Sequence, residues 1–386
     1  MRHYLRKVRA AGLLGLLKKI VRATRYYIPR LIGRAAFPVL GRRVPLRGYY
    51  DKTRDFLQHG DGRYIEFQSA SGSLEPTLLD TFRPGIFVAI IPRARSIYDY
   101  GLIVSPDHKL LADVSWGGYD AVCRPLQHPA MYKLCFPPIK HVPGRVAVIT
   151  SLLSHNYYHW MFDILPRFEI LQRGGLVPDL YVINTTIPFQ KETLQIMNIP
   201  SDRILSPTSS THVEADELIV PSLPGPIFGI APQLQTCEYL RSTFLQKDRK
   251  RKPHRALYVT RTDADRRRVI NEAEIREEVL GDGFEIVSLG NLPFLRQVEL
   301  FSEARIIVGM HGAGFTNAVF CQPDSVLIEF MPEGWRHDHF ERLARRVGME
   351  YRSITCTASH VSNCHPSIGD HSIDRYAVRK LLREFA

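Results

Sequence analysis

Cysteine is scarce in this chain, and its spacing is irregular. Six cysteines occur in 386 residues, and no two of them form a Cys-x-x-Cys pair. Because structural zinc sites are usually built on such pairs, the spacing excludes a cysteine-based metal cage. A chain of this length can build hydrophobic cores without disulfides, so we expect reduced thiols in a cytoplasm.

Acidic residues are absent from the first 50 residues, which contain 13 of the 51 Lys and Arg residues. The remaining chain holds 38 Lys and Arg against 39 Asp and Glu, so the basic excess lies in this N-terminal arm. Long apolar runs are missing too, since cations interrupt Leu, Ile and Val before any run reaches membrane-spanning length. We expect residues 1–50 to form a basic amphipathic helix on an anionic membrane surface, with the protein cytoplasmic and peripheral on the inner face of a membrane.

Two other interpretations of the arm remain open at the level of sequence. A nucleic-acid-binding arm would carry its cations without the apolar cluster Leu13 to Leu17, so we expect no nucleic-acid partner. An acid-free, Arg-rich N-terminus is also typical of an organelle transit peptide, and Ala10 to Leu17 imitates the hydrophobic region of a signal peptide. Lys18 and Lys19 interrupt that region early.

A glycine-rich turn is the most informative feature that the sequence does contain. The segment Met310 to Asn317 follows the apolar run Ala304 to Val308 and precedes the run Ser325 to Phe330. That order predicts a strand, a turn, a helix and a strand, with glycines where the backbone would approach a ligand closely. The free N–H groups at the start of the helix would favour a phosphate. Tight packing of strand against helix is the alternative explanation.

A second segment, Ser154 to Arg167, crowds histidines and an aspartate into one predicted helix. His155, His159 and Asp163 recur every four residues and would form a polar stripe, while Trp160 begins an adjacent apolar stripe. A polar stripe beside a buried one is typical of a cleft wall. The alternative is a partly buried helix whose histidines are satisfied by hydrogen bonds.

Three segments in this order resemble the signature of glycosyltransferase family 61: HNYYHWMFDILPR, RTDADRRRVINE at Arg261 to Glu272, and GMHGAGFTNAVFCQPDSVLIEFMP. The resemblance covers roughly residues 140 to 355. It implies a GT-B fold, with two Rossmann-like domains facing a cleft. It also implies transfer of a sugar from a nucleotide sugar, expected to be UDP-linked, with inversion and without an essential metal or other cofactor. We expect a glycan or lipid-linked acceptor in surface or capsular polysaccharide biosynthesis.

The pattern of elements fits an α/β protein with a β-rich N-terminal portion. Short alternating stretches fill residues 60–120, and strands and helices alternate from Val146 onward. The charged stretch Lys247 to Lys252 suits a domain junction. We therefore predict the basic arm at 1–50, an acceptor-side domain at 51–250 and a nucleotide-sugar-binding Rossmann-like domain at 251–386.

Cationic side chains in the C-terminal half are candidates for holding the departing diphosphate. Arg261 and Arg267 could each hold two phosphate oxygens, although either neighbour of Arg267 in the run Arg266 to Arg268 could turn inward instead. Glu329, expected to end its strand, could accept hydrogen bonds from ribose hydroxyls. The other predicted donor or substrate contacts are Trp160, Arg167, Asn271, His311, Gly312, Ala313, Gly314, Thr316 and Asn317.

Inversion requires one base opposite the leaving group, and we rank Asp163 first for that role. His159, one turn before Asp163 on the same stripe, could hydrogen-bond Asp163, orient the acceptor or be the base itself, and His155 completes the catalytic candidates. The family resemblance does not separate His159 from Asp163.

Three rival constellations carry less weight. Asp263 and Asp265 match the short Asp-x-Asp pattern of metal-dependent GT-A enzymes. A zinc site on His155 and His159, with further ligands from His337 and His339, would lack the glutamate of HExxH. The chain also has no GxSxG nucleophile elbow for a hydrolase. A non-catalytic carbohydrate-binding or scaffold protein with a GT-B shell is the alternative function.

Overall fold

The computed structural model describes residues 28, 41–43, 45–67, 85–116, 125–223, 232–245, 252–281, 283–335, 337–358 and 368–385. Most of the predicted basic arm lies outside these residues, as does all of the predicted junction Lys247 to Lys252 except Lys252, so both stay predictions. Within the described residues, no helix is long and apolar enough to span a bilayer.

The strands form a mixed sheet in the N-terminal part and a mostly parallel sheet in the C-terminal part. In chain order, the strands are β1 (Gly48–Tyr50), β2 (Arg63–Phe67), β3 (Ile86–Pro92), β4 (Arg95–Ile97), β5 (Leu102–Val104), β6 (Lys109–Leu111), β7 (Lys140–Val148), β8 (Leu180–Val182), β9 (Ile204–Leu205), β10 (His212–Pro221), β11 (Arg255–Val259), β12 (Glu285–Val287), β13 (Ala304–Met310), β14 (Val326–Pro332), β15 (Glu350–Ala358) and β16 (His371–Ser372).

Helices occupy the connections between the strands. The α-helices are α1 (Thr53–Leu57), α2 (Tyr157–His159), α3 (Pro166–Arg173), α4 (Pro188–Ile196), α5 (Leu234–Phe244), α6 (Glu272–Gly281), α7 (Phe294–Ser302), α8 (His339–Arg346) and α9 (Arg375–Leu382). A π-helical segment, Trp160–Ile164, joins α2 to α3. The 3-10 helices are Gly41–Arg43, Ala112–Val114, Pro125–Gln127, Pro129–Tyr132, Ser201–Arg203, Leu289–Asn291 and Ala313–Phe320.

The first sheet runs in the order β1-β6-β5-β4-β10-β7-β8-β9, with β3 also paired to β10 and β2 paired to β3. Its antiparallel part comes from the β-rich stretch predicted over residues 60–120, and β7, β8 and β9 are parallel. Parallel strands need crossover helices, which α3 and α4 provide. The mixed α/β class and the change of pattern after Val146 are thus confirmed.

The second sheet runs in the order β12-β11-β13-β14-β15-β16, and all pairs except β15 with β16 are parallel. The chain places β12 on one side of β11 and then β13 on the other side, so the strand order reverses between β11 and β13. This reversal leaves a crevice at the carboxyl ends of the two strands.

One continuous apolar cluster includes buried residues of both sheets, such as Ile90 of β3 and Leu257 of β11. Helices α3, α5 and α7 contribute to the same cluster, together with the 3-10 helix after β13. Trp160 and Phe320 are 0% exposed within it. Burial of such a side chain stabilises the fold by about 1.5–3 kcal/mol, so this layer holds the elements around the crevice in place.

The predicted helix over Ser154 to Arg167 is shorter and less regular than expected. Asn156 caps it by accepting a hydrogen bond from the Tyr158 backbone N–H at 2.9 Å. His155 therefore lies before the helix, outside the predicted polar stripe. The π-helical turn closes with a hydrogen bond from Leu165 N to Trp160 O at 3.0 Å, and Pro166 starts the next helix because it needs no N–H partner there.

Candidate active site

A cavity of about 350 Å³ opens in the crevice between β11 and β13. This volume lies at the small end of the range of ligand pockets, about 300–1,000 Å³. Its lining on the sheet side comprises Val259, Thr260, Arg261, Met310, Gly312 and Gly314. The cavity lies where open α/β sheets bind ligands, beyond the carboxyl ends of the parallel strands.

The opposite wall of the cavity comes from the N-terminal part of the chain. Tyr157, Phe189 and Glu192 line it. The Tyr157 hydroxyl donates to Asn317 Oδ1 at 2.6 Å, and Glu192 Oε2 accepts from the Phe294 backbone N–H at 2.6 Å. The sequence did not indicate this wall, because Phe189 and Glu192 belong to an ordinary amphipathic helix and carry no motif.

A larger groove of about 810 Å³ lies between α5 and α7. Among the described residues that line it, none is a candidate from the motifs. We therefore assign the chemistry to the smaller cavity, where the strand order reverses.

Glycines in the turn let neighbouring groups lie close to the backbone. A Cβ atom on Gly309 would lie 2.7 Å from the Val259 carbonyl oxygen, which the neighbouring strand cannot move easily. A Cβ atom on Gly312 would overlap the Arg261 guanidinium. The helix that follows is a 3-10 helix and begins at Ala313, with no side chain capping its first N–H groups. The turn therefore brings a guanidinium and free N–H groups to one side of the cavity.

Both predicted phosphate-binding arginines converge on this turn. Arg261 donates from Nη2 to the Arg266 carbonyl at 2.9 Å, and Arg267 donates from Nε to the His311 carbonyl at 3.1 Å. Burial lowers the pKa of Arg261 and lowers that of Arg267 to about 10, so both stay charged at neutral pH. Arg268 instead pairs with Asp370 at 3.0 Å. In the run Arg266 to Arg268, Arg267 is therefore the arginine whose side chain bonds to the glycine turn.

Glu329 is placed differently from the sequence-based expectation. β14 continues to Pro332, so Glu329 lies within the strand and is 0% exposed. Its Oε1 lies 2.5 Å from His311 Nδ1, and its Oε2 accepts from the Tyr351 hydroxyl at 2.7 Å. Because both carboxylate oxygens are engaged inside the fold, the predicted ribose contact by Glu329 is not supported.

His159 and Asp163 form the contact that their spacing predicted. His159 Nδ1 lies 2.6 Å from Asp163 Oδ2, and the side chains are 18% and 0% exposed, respectively. Arg167, also buried, lies near enough for the Asp163 charge to raise its pKa against the larger lowering effect of burial. The imidazole therefore shields the carboxylate from solvent, and only the imidazole faces outward.

A cluster of aromatic and histidine rings connects this pair with the glycine turn; we call it the ring cluster. The His311 ring lies 5.2 Å from that of Phe340, which lies 5.7 Å from Tyr158, and Tyr158 lies 5.5 Å from His159. The other members are Trp335, His337 and His339. The sequence indicated His337 and His339 only as possible zinc ligands. It gave no indication of Trp335, since no motif includes that residue.

Several predicted contact residues serve the fold instead. Trp160 is 0% exposed and donates its indole N–H to Thr193 Oγ1 at 3.0 Å. Arg167 donates to the Thr150 carbonyl at 3.1 Å, and the Asn271 side chain pairs with the backbone of Ile373. These side chains are committed to backbone or core partners, which direct substrate contact would break.

Thr316 and Asn317 are both fully buried in the 3-10 helix after the turn. Asn317 donates to Gln297 Oε1 at 2.9 Å while accepting from Tyr157, so it supports the cavity wall from behind. His155 is exposed and lies away from the pair of His159 and Asp163. The sequence could not separate these roles, because burial depends on neighbouring elements.

The Asp-x-Asp pair does not form a recognisable metal centre. Asp263 Oδ2 accepts hydrogen bonds from Ser288 Oγ and from the Gly290 N–H, both at 2.9 Å, and so fixes the loop after β12. Asp265 is exposed. In the part of the chain that the structure describes, no three His, Cys, Asp or Glu side chains are grouped as a metal site requires.

Comparisons with known proteins relate part of this chain to glycosyltransferases. Residues 157–328 match the family described as Glycosyltransferase 61. The chain is 32% identical over 66 residues to a beta-1,2-xylosyltransferase of Arabidopsis thaliana, covering 17% of this chain and 12% of that protein.

Two further relatives align over longer stretches. An EGF domain-specific O-linked N-acetylglucosamine transferase of Drosophila melanogaster is 24% identical over 265 residues, covering 62% of this chain and 50% of that protein. The beta-1,2-xylosyltransferase XYXT1 of Oryza sativa subsp. japonica is 29% identical over 144 residues, covering 35% and 30%, respectively. The chain thus spans half or less of the length of these curated relatives.

Proposed function

This chain belongs to glycosyltransferase family 61 through residues 157–328, and from this premise we propose that it transfers a sugar from a nucleotide sugar to a glycan acceptor. One observation carries the proposal: the cavity between β11 and β13 adjoins a glycine turn on which Arg261 and Arg267 converge. A departing nucleoside diphosphate develops charge on its oxygens, and fixed cations and N–H donors stabilise that charge.

The nucleoside of the donor occupies the cavity, and its diphosphate crosses the glycine turn towards the ring cluster. Phe189 and Phe294 give the cavity apolar surface for a base, while Arg261 lies on the sheet side where phosphate would pass. The arginines take the charge-neutralising role that a divalent cation has in GT-A enzymes, so the reaction is proposed to be metal-independent. The donor is proposed to be UDP-linked.

A GT-B arrangement accounts for the lining of the cavity. Its walls come from Tyr157 and α4 on one side and from the second sheet on the other, as expected for an acceptor-side domain at 51–250 and a donor domain at 251–386. The family resemblance and the two parallel-rich sheets support this proposal.

The base is proposed to be His159, positioned by Asp163, which reverses the sequence-based ranking. Asp163 is fully buried and bonded to His159 Nδ1, so an acceptor hydroxyl would meet the imidazole first. With Nδ1–H donated to the carboxylate, Nε2 is free to accept the hydroxyl proton as the acceptor oxygen attacks the anomeric carbon. A single displacement of this kind inverts the anomeric centre.

The acceptor is proposed to be a growing surface or capsular glycan, free or lipid-linked. The basic arm would hold the enzyme on the cytoplasmic face of a membrane, where such acceptors are elongated. The confinement of the basic excess to residues 1–50 supports this part of the proposal.

Ligand protection and turnover together test the function. Purified protein is mixed with a panel of UDP-, GDP- and CMP-linked sugars, and the thermal unfolding midpoint is recorded with and without EDTA. We expect one nucleotide class to raise the midpoint and EDTA to leave transfer intact. Turnover that EDTA abolishes and manganese restores would favour the GT-A interpretation, and protection without any turnover would favour the carbohydrate-binding alternative.

Arg261→Ala locates the donor site. Loss of a charge-assisted pair of hydrogen bonds costs about 1.5–3 kcal/mol, so UDP affinity should fall roughly 10- to 100-fold. Arg268→Ala is the matched control, because Arg268 pairs with Asp370 instead of reaching the turn. Equal losses in both variants, measured by calorimetry, would contradict the assignment of the site.

A further inference from the structure

His311 is held in one orientation by a carboxylate that has no access to solvent. Its ring nitrogen Nδ1 lies 2.5 Å from Oε1 of Glu329, and the Tyr351 hydroxyl donates to Oε2 at 2.7 Å. Glu329 is 0% exposed, so it can act on a substrate only through the side chains bonded to it. Since Nδ1–H donates to the carboxylate, Nε2 is the nitrogen available to another group.

The position of His311 in the turn points to the diphosphate. Its neighbours in sequence, Met310 and Gly312, both line the cavity. Its carbonyl accepts from Arg267, and Arg261 lies against Gly312. The imidazole is therefore carried by the same backbone segment that approaches the proposed leaving group. On its other side, His311 belongs to the ring cluster that reaches His159.

The two arginines can neutralise the charge on a leaving diphosphate, but they cannot protonate it. A guanidinium neutralises charge but does not release its proton at physiological pH. An imidazolium can release its proton, and the buried Glu329 carboxylate holds the His311 ring in one orientation. His311 supported by Glu329 and Tyr351 has this property at the edge of the phosphate-binding turn.

We propose that His311 donates a proton from Nε2 to the departing diphosphate, with Glu329 and Tyr351 as positioning residues. This inference rests on the proposed glycosyl transfer. The bond between the anomeric carbon and the diphosphate oxygen breaks, its electron pair stays on oxygen, and the Nε2 proton passes to the diphosphate. The acceptor oxygen forms the new bond while its own proton passes to His159. Exchange with solvent then restores imidazolium at His311 and neutral imidazole at His159.

A pH profile distinguishes proton donation from a structural role. Transfer requires protonated His311, so kcat/KM should fall on the alkaline side as this group loses its proton. The charged and titratable groups around His311 that set this limb are Glu329 with Tyr351 behind it, His337, His339, Arg261 and Arg267.

Three variants and a control make the test. His311→Gln should lower kcat by roughly 10²–10⁴-fold and remove the alkaline limb, while UDP affinity measured by calorimetry changes little. Glu329→Gln, which removes the anion behind His311, should move the limb to lower pH. Tyr351→Phe removes one hydrogen-bond donor to the Glu329 carboxylate and should move the alkaline limb to higher pH. His254→Gln, at an exposed histidine on the lead-in to β11, should keep the normal profile.

The outcomes separate the inference from the function on which it rests. Normal kcat and an unchanged alkaline limb in His311→Gln would overturn the proton donor while leaving glycosyl transfer standing. If that variant does not fold, the opposite shifts expected for Glu329→Gln and Tyr351→Phe decide, and shifts in the same direction count against the proposal. A wild-type protein without turnover on any nucleotide sugar of the panel would overturn the function and the inference together.

Discussion

Two imidazole–carboxylate pairs carry the proposed chemistry at the scale of single residues. In each pair the carboxylate, Asp163 or Glu329, is 0% exposed, and the imidazole is 18% exposed at His159 and 8% exposed at His311. A carboxylate in this place selects the tautomer with hydrogen on Nδ1 and stabilises the imidazolium. The same arrangement can therefore serve a base on one side of the reaction and an acid on the other.

Asp163→Asn tests the first pair. An asparagine amide can donate to His159 Nδ1. The ring proton would then lie on Nε2, and His159 could no longer accept a proton there. We expect turnover to fall on the order of a hundredfold or more with UDP affinity retained, measured by steady-state kinetics and calorimetry.

A comparison with His159→Ala decides between the two residues. If His159→Ala folds and stays active while Asp163→Asn is inactive, Asp163 is the base, as the sequence-based ranking had it. Because Asp163 also lies near the buried Arg167, thermal unfolding of each variant must show that the fold is intact.

Gly312→Ala tests the close approach at the turn. The Gly312 backbone is extended, with φ of 177°, so alanine adds no backbone strain, but its Cβ would displace the Arg261 guanidinium. We expect UDP affinity to fall roughly tenfold, on the order of one charge-assisted hydrogen bond, with little change in stability. Gly48→Ala is the control, because its Cβ would meet only Lys109 at 3.9 Å. Calorimetry that finds unchanged affinity in Gly312→Ala would separate Arg261 from donor binding.

At the scale of elements, an interrupted helix presents the proposed base. The π-helical segment Trp160–Ile164 turns Trp160, Met161 and Phe162 into the core while His159 keeps partial exposure. Such π segments frequently occur at functional sites, since they cost stability and persist where they orient a side chain. Pro166 then restarts regular α-helix.

Deletion of residues 1–35 tests the basic arm. The arm supplies most of the basic excess, and each cation near an anionic leaflet contributes about 1 kcal/mol, so the shortened protein should leave anionic vesicles. Co-sedimentation with vesicles of phosphatidylserine and phosphatidylcholine measures the binding, and thermal unfolding confirms that the core stays folded. Binding that neither deletion nor raised salt diminishes would refute the assignment of the arm.

At the scale of the whole molecule, buried histidines make stability depend on pH. Burial lowers the pKa of His128 and of His212 to about 4. Between that value and the ordinary value of about 6.5, the unfolded chain binds protons that the folded chain does not. The free energy of unfolding should therefore decrease as pH falls through this window, by about 1.4 kcal/mol per pH unit for each such histidine.

Urea unfolding at pH 7.5 and at pH 5 measures this dependence, with His128→Asn as the comparison. Asparagine can still accept the hydrogen bond that Ala130 N–H donates to His128 at 3.1 Å, but it does not titrate. Between pH 7.5 and pH 5, the free energy of unfolding of the variant should fall less than that of the unmodified protein, by the amount expected for one histidine. An identical pH slope in both proteins would show that His128 is protonated inside the fold.

Much of the fold and part of the site were predictable from local pattern. The strand, turn and helix around Met310 to Asn317 and the contact between His159 and Asp163 were correct, because periodicity and glycine placement act over a few residues. The helix limits were less accurate: His155 falls outside because Asn156 is the better N-cap.

The sequence by itself determined the α/β class and the three segments that resemble glycosyltransferase family 61, since these depend on neighbours along the chain. Only the tertiary structure decided which side chains stay available. In the folded protein, Glu329 is buried and bonded to His311, and Trp160 lies in the core. Of its basic run, Arg267 is the arginine that bonds to the glycine turn. The physical reason is that burial and hydrogen-bond partners come from elements distant in sequence, as when Tyr351 of β15 takes an oxygen of Glu329 that the sequence had assigned to a ribose.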